Sequence, residues 1–187
     1  ETRGVLNVFL LDKIIWGLNL TGLVQSSLGS KAMTVFMTLI YSLHIPLVIT
    51  TAAILWVKRK DVFVSYSYIL SICTYISFIF FLLFPSSPPW LAGAAQNLLN
   101  GSSGTSVYKV LSDIVESDPL ATFPSLHAVY ALLLPYIFFR LKRIYGMILL
   151  PLAVLILFST VYLGQHYVID LIAGGTIFAV SLLIAKI

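Results

Sequence analysis

The chain holds three histidines, His44, His127 and His166, and each falls in or at the edge of an apolar stretch. Asp170 shares that setting, and an ionisable side chain there is costly and by default marks function. His166 and Asp170 are four residues apart, so in a helix that has begun by His166 they stack on one face about 6 Å apart. A carboxylate so placed holds one imidazole nitrogen and leaves the other free, the arrangement that orients histidine nucleophiles and bases. His127 follows Pro124 and Ser125. A helix opening there offers unpaired N–H groups beside the Ser125 hydroxyl, a cradle for an anion. An anion between two histidines points to phosphoryl chemistry.

These residues need elements to carry them. Of 187 residues, 59% are hydrophobic and 10% charged, whereas a soluble domain carries roughly 25% Asp, Glu, Lys and Arg. An ordinary soluble domain is excluded, because one core of this size cannot hide so much apolar surface. Four runs, 32 to 57, 62 to 84, 144 to 163 and 167 to 187, meet the roughly 20 residues a helix needs to cross a bilayer. A fifth, Leu126 to Phe139, is shorter and contains Pro135, which predicts a kinked helix starting below the membrane surface. The first segment, Gly4 to Val24, is interrupted by Asn7, Asp12, Lys13 and Asn19; it either spans or lies in the interface. The expected fold is an all-α polytopic membrane helix bundle of five or six transmembrane helices. Residues 1–30 form the interfacial or first transmembrane segment, and residues 31–187 the catalytic bundle with one long outer loop at 85–124.

The net charge is +4, but the basic residues cluster between apolar runs, which reads as membrane topology and not as a nucleic-acid site. Lys58, Arg59 and Lys60 fall on the same face as Arg140, Lys142 and Arg143, two crossings later, with Arg3 and Lys186. Lys31 and Lys109 fall opposite. The positive-inside rule makes the crowded face cytoplasmic and the loop extracytoplasmic. That loop opens with Pro88, Pro89 and Trp90, a non-helical run whose indole suits a headgroup boundary. Asn100 to Gly104 reads as a flexible turn, and Val107 to Val115 as a short surface helix. His127 and His166 then share the outer face.

Plainer readings exist for each residue. His127 and His166 can be helix-end histidines bonded to carbonyls, and Asp170 an inter-helix hydrogen bond. His44 lies two residues before Pro46, which frees a backbone carbonyl, so a packed structural role is expected there, with the substrate region as its functional alternative. Asp113, Glu116 and Asp118 read as a solvated loop, and no metal site is expected. Gly174 and Gly175 read as residues that let helices pack closely. The lone Cys73 precludes an internal disulfide.

At these positions the sequence resembles the type 2 phosphatidic acid phosphatase superfamily. The family's Pro-Ser-Gly-His motif appears as Pro124-Ser125-Leu126-His127. Its Ser-Arg motif, followed by His and Asp, appears as Ser159-Thr160, His166 and Asp170. The motif with Lys and Arg-Pro has no match, and Pro88-Pro89-Trp90 lies in its place. That trio, with Pro-Ser-Leu-His and Gln165-His166-Tyr167, looks most like the branch containing fungal inositol phosphorylceramide synthase. The resemblance covers about residues 32 to 187. It implies that His166 attacks phosphorus, Asp170 orients it, and His127 protonates the leaving oxygen. Ser125, Thr160 and, where the loop folds over, Lys109 would hold phosphoryl oxygens. The expected substrate is a membrane lipid, the acceptor an alcohol or water, and no cofactor is expected. The alternatives are a lipid phosphate or polyprenyl pyrophosphate phosphatase using water, a non-catalytic lipid-phosphate binding protein, and a haem protein with histidine ligands. Oligomeric state is not legible.

Overall fold

The computed structural model describes residues 7–101 and 120–185. Lys109, Asp113, Glu116, Asp118 and the helix expected at 107–115 lie outside the described residues, as do Arg3, Lys186 and residues 102–104 of the expected turn. What is described is helical, without a strand: α1 Val8–Trp16, α2 Leu20–Leu28, α3 Lys31–Ser42, α4 His44–Lys58, α5 Lys60–Leu83, α6 Leu98–Gly101, α7 Leu126–Leu141, α8 Arg143–Tyr162 and α9 Val168–Ala185.

Three helices and the joined pair α3–α4 are long and apolar enough to cross a membrane, at Lys31–Lys58, Lys60–Leu83, Arg143–Tyr162 and Val168–Ala185. They match the four apolar runs. Two departures have physical causes. The run 32 to 57 is divided at Leu43 into α3 and α4. Pro46 cannot donate to the carbonyl four residues back, so the helix restarts with Pro46 in its first turn, where the missing N–H costs no helical bond. The first segment is two helices bent by 77°. Gly17 closes α1 in the left-handed conformation, and Asn19 caps α2 by accepting from Gly22 N at 3.0 Å, so no single straight helix can pass through Gly17 and Leu18. Pro135, in contrast, stays inside α7 without ending it.

α7 is the central helix, packed against α4, α5, α8 and α9. Val129, Leu133 and Ile137 on α7 meet Leu55, Tyr66, Ile69 and Cys73 in the main core. Fully burying side chains of this kind stabilises by about 1.5–3 kcal/mol each. A second cluster, Met37, Tyr41, Leu99, Tyr162 and Leu163, lies at the other end of the bundle from the basic clusters Lys58, Arg59, Lys60 and Arg140, Lys142, Arg143. Ser30 and Ser125 cap α3 and α7 through their side-chain oxygens. Asn100 and Gly101 belong to α6, so the expected turn begins as a short helix.

Candidate active site

α8 ends at Tyr162, and after five intervening residues α9 begins at Val168. The turn is tight. Gly164 takes a φ of 78°, and an added Cβ would stand 2.6 Å from the Gln96 carbonyl oxygen. Gln165 N and His166 N both donate to the Thr160 carbonyl, at 2.9 and 3.2 Å. Asp170, the third residue of α9, reaches back so that its Oδ2 accepts from Tyr167 N at 2.9 Å, the reciprocal half of a capping box. The same oxygen lies 3.3 Å from His166 Nδ1. An ionised carboxylate only accepts, so Nδ1 carries the imidazole proton and Nε2 keeps its lone pair.

His166 Nε2 lies 3.0 Å from His127 Nδ1. His127 stands in the first turn of α7, which is anchored to α9 where Ser125 N donates to the Asp170 carbonyl at 3.1 Å. The close approach depends on Gly174, where a Cβ would run into the Ser125 carbonyl. His44 is the third member. From the start of α4 its Nδ1–H donates to the Tyr41 carbonyl at 2.5 Å, and its ring centroid lies 4.2 Å from that of His127. The Tyr41 ring stacks on His127 at 4.9 Å. All three histidines of the chain thus converge. His44 and His166 are about 5% exposed and Asp170 is fully buried, while His127 is half-buried. Among the described residues, no group of three or more His, Cys, Asp or Glu is arranged to hold a metal ion.

Depth follows from helix rise. His127 to Arg140, His44 to Lys58 and Asp170 to Ala185 each span about 20 Å. Three helices therefore place the cluster at one level, away from the basic ends.

The other residues singled out in the sequence fall around this cluster in different ways. Pro88 and Pro89 are buried, and Pro89 accepts from Ala94 N and Ala95 N in a compact turn. Trp90 N donates to the Gly164 carbonyl and its indole N–H to Gln165 Oε1, both at 3.2 Å, so the trio sits directly on the turn that carries His166. Ser125 and Thr160 are buried with their hydroxyls engaged: Ser125 Oγ accepts from Ala128 N at 3.3 Å, and Thr160 Oγ1 donates to the Leu157 carbonyl at 2.8 Å. Thr160 touches the site through its carbonyl. No sequence signal marks Tyr41 or the neutral side chains that fasten the loop. Gln25 donates to the carbonyls of Gln96 and Tyr162 and accepts from Gln96 N, and Asn19 donates to the Ala94 carbonyl. Among the described residues the ion pairs are Arg59–Asp61 and His166–Asp170, so no described Lys or Arg pairs with the site.

An imidazole with one nitrogen held by a carboxylate and the other presented to a second imidazole can act as a nucleophile toward phosphorus, with the second imidazole exchanging the proton. The sequence model of the PAP2 superfamily matches residues 9–184 of the chain. No curated protein and no solved structure matches it.

Proposed function

The chain belongs to the PAP2 superfamily, and from that membership and the geometry of the three-histidine site we propose that it is an integral-membrane lipid phosphotransferase working through a phosphohistidine. Membership supports lipid phosphatase or phosphotransferase chemistry. The observation that carries the reading further is the double hold on His166, with Nδ1 at 3.3 Å from Asp170 and Nε2 at 3.0 Å from His127.

In the proposed reaction His166 Nε2 attacks the phosphorus of a phospholipid and forms an N–P bond. The P–O bond to the diacylglycerol breaks, and the freed oxygen takes a proton from His127. An acceptor alcohol then gives its proton to His127 while its oxygen attacks phosphorus, and the N–P bond breaks. Asp170 stabilises the imidazolium character that His166 gains. First-turn N–H groups of α7 meet developing charge on the phosphoryl oxygens.

The donor class follows from charge. A phosphate monoester carries close to two negative charges, which a partly dehydrated site holds only with several cations. In the acid step His127 would carry one positive charge against an ionised Asp170, and the other described groups of the site are neutral donors. A singly charged phosphodiester suits it better, and an inositol-phosphoryl donor of the kind used in the inositol phosphorylceramide synthase branch fits that requirement. The positive-inside reading puts the site on the extracytoplasmic side.

The test is turnover by the purified full chain of phosphatidylinositol, phosphatidic acid and a polyprenyl pyrophosphate, each with and without a lipid alcohol. Transfer from phosphatidylinositol to the alcohol is expected. Preference for either of the other two with water as sole acceptor leaves a lipid phosphatase, and no turnover of any of them, with any acceptor, leaves a binding protein.

A further inference from the structure

We propose that Asp12, in the first apolar segment, is a positioning residue that holds the turn carrying His166. This rests on the reading of His166 as nucleophile. Asp12 lies in the middle of an apolar helix yet is only 2% exposed, while its neighbours Leu11, Ile14 and Ile15 face outward. Its Oδ1 accepts from Ile169 N at 3.1 Å, across 157 residues of sequence. Ile169 is the second residue of α9, so its N–H has no partner within the helix. Tyr167 N, two residues earlier, is held by Asp170. Two buried carboxylates therefore hold the first donors of the nucleophile's helix, one from the helix itself and one from α1.

The rest of the segment is shaped around the same turn. The Phe9 ring lies 6.2 Å from that of Tyr167. α1 packs on α9; the 77° bend then carries α2 onto α8, where Gln25 takes the Tyr162 carbonyl at 2.9 Å. The bent pair thus grips residues 163–167 from both sides, α1 through the start of α9 and α2 through the end of α8. A straight spanning helix would reach only one. A carboxylate suits the task because a negative group favours the N-terminal end of a helix dipole, and it is a costly residue to keep in an apolar segment for anchoring alone.

The test pairs two readouts on the full chain in lipid nanodiscs. In Asp12→Ala, backbone amide exchange across 164–172 should accelerate about tenfold or more, with α5 and α7 unchanged. Turnover of phosphatidylinositol should fall about 10- to 100-fold in kcat with KM within about twofold, because a displaced nucleophile affects attack and not lipid capture. Asp12→Asn, whose amide oxygen accepts the same N–H, should restore both to within about threefold. Unchanged exchange at 164–172 in Asp12→Ala, or undiminished kcat, overturns the proposal. Asp12→Asn also overturns it if it folds but loses protection there, which covers the case in which Asp12→Ala does not fold. A wild-type chain that turns over no lipid phosphate defeats the functional reading, while the exchange measurement still decides whether Asp12 holds the turn.

Discussion

His127 Nδ1 and His166 Nε2 stand 3.0 Å apart, joined by a hydrogen bond. The proposed chemistry needs these nitrogens on opposite sides of a phosphorus atom. A phosphorus at near-attack distance from one, with its leaving oxygen hydrogen-bonded to the other, requires roughly 6 Å between them. Substrate therefore replaces this bond. His166 is tied to Asp170 and its backbone N–H to Thr160, whereas His127 is half-buried with its Nε2 unpartnered, so His127 is the ring that yields.

His166→Ala should abolish turnover and any acid-labile phosphoprotein, measured by brief labelling with radioactive donor and acid quench. His127→Ala should retain the nucleophile but lose about 10² to 10⁴ in rate on natural donors. It should lose much less on a nitrophenyl phosphodiester, whose leaving group needs no proton. Equal losses on both donors would remove His127 from the role of acid.

Asp170→Asn should leave the bundle folded and depress kcat. One oxygen of Asp170 serves both Tyr167 N and His166 Nδ1. An asparagine oxygen can meet these donors but carries no charge to stabilise the imidazolium, which places the expected loss at about tenfold or more. Asp170→Leu removes the cap as well, and unfolding in a mild detergent series should show a further cost of about 0.5–2 kcal/mol.

Two adjacent glycines give a matched pair. A methyl at Gly174 meets the Ser125 carbonyl, while one at Gly175 stands 3.5 Å from Leu132, an ordinary contact. Gly174→Ala should push the start of α7 away from α9, costing about 1–3 kcal/mol of stability and most of the turnover. Gly175→Ala should change neither.

Much of this was legible because it is local. Apolar run lengths placed the long helices, and the spacing of His166 and Asp170 pointed to their pairing, but not through stacking on one helical face: α9 begins only at Val168, and Asp170 reaches back over its first turn to a His166 that lies outside the helix. The Pro124-Ser125 start placed His127 in a first helical turn. The links between segments were not legible, because neutral side chains make them over long separations. Gln25 to Tyr162 spans 137 residues and Trp90 to Gln165 spans 75, and nothing in hydropathy or charge marks either. Pro46 frees a carbonyl, which sequence shows, yet its larger effect is to restart the helix at His44. That break brings His44 and Tyr41 onto His127. The Ser125 and Thr160 hydroxyls, which residue type offers to phosphate, each also meet the backbone: Ser125 Oγ accepts from Ala128 N and keeps its own proton to give, while Thr160 Oγ1 donates to the Leu157 carbonyl.

His44→Leu keeps the volume but leaves the Tyr41 carbonyl at the α3–α4 break without its side-chain donor. Thermal unfolding should register a loss of about 1–3 kcal/mol, and turnover should fall because the Tyr41 ring stacked on His127 moves with that carbonyl. Full activity in His44→Leu would separate the break from the site.

Orientation is open to labelling, since the native Cys73 is fully buried. A cysteine at the exposed Ala92 should react with an impermeant reagent from outside, and one at Lys142 only from the cytoplasm. The reverse pattern would put the site on the inner face.

The fastening of residues 90–97 to the turn at 164–165 has a consequence for how a lipid arrives. Trp90 is bonded to Gly164 and Gln165, and Gln96 shares Gln25 with Tyr162. This cover cannot lift toward water without dragging the backbone on which His166 depends. On the proposed function, a lipid would then enter sideways, out of the leaflet and between helices, with its tails in hydrocarbon throughout.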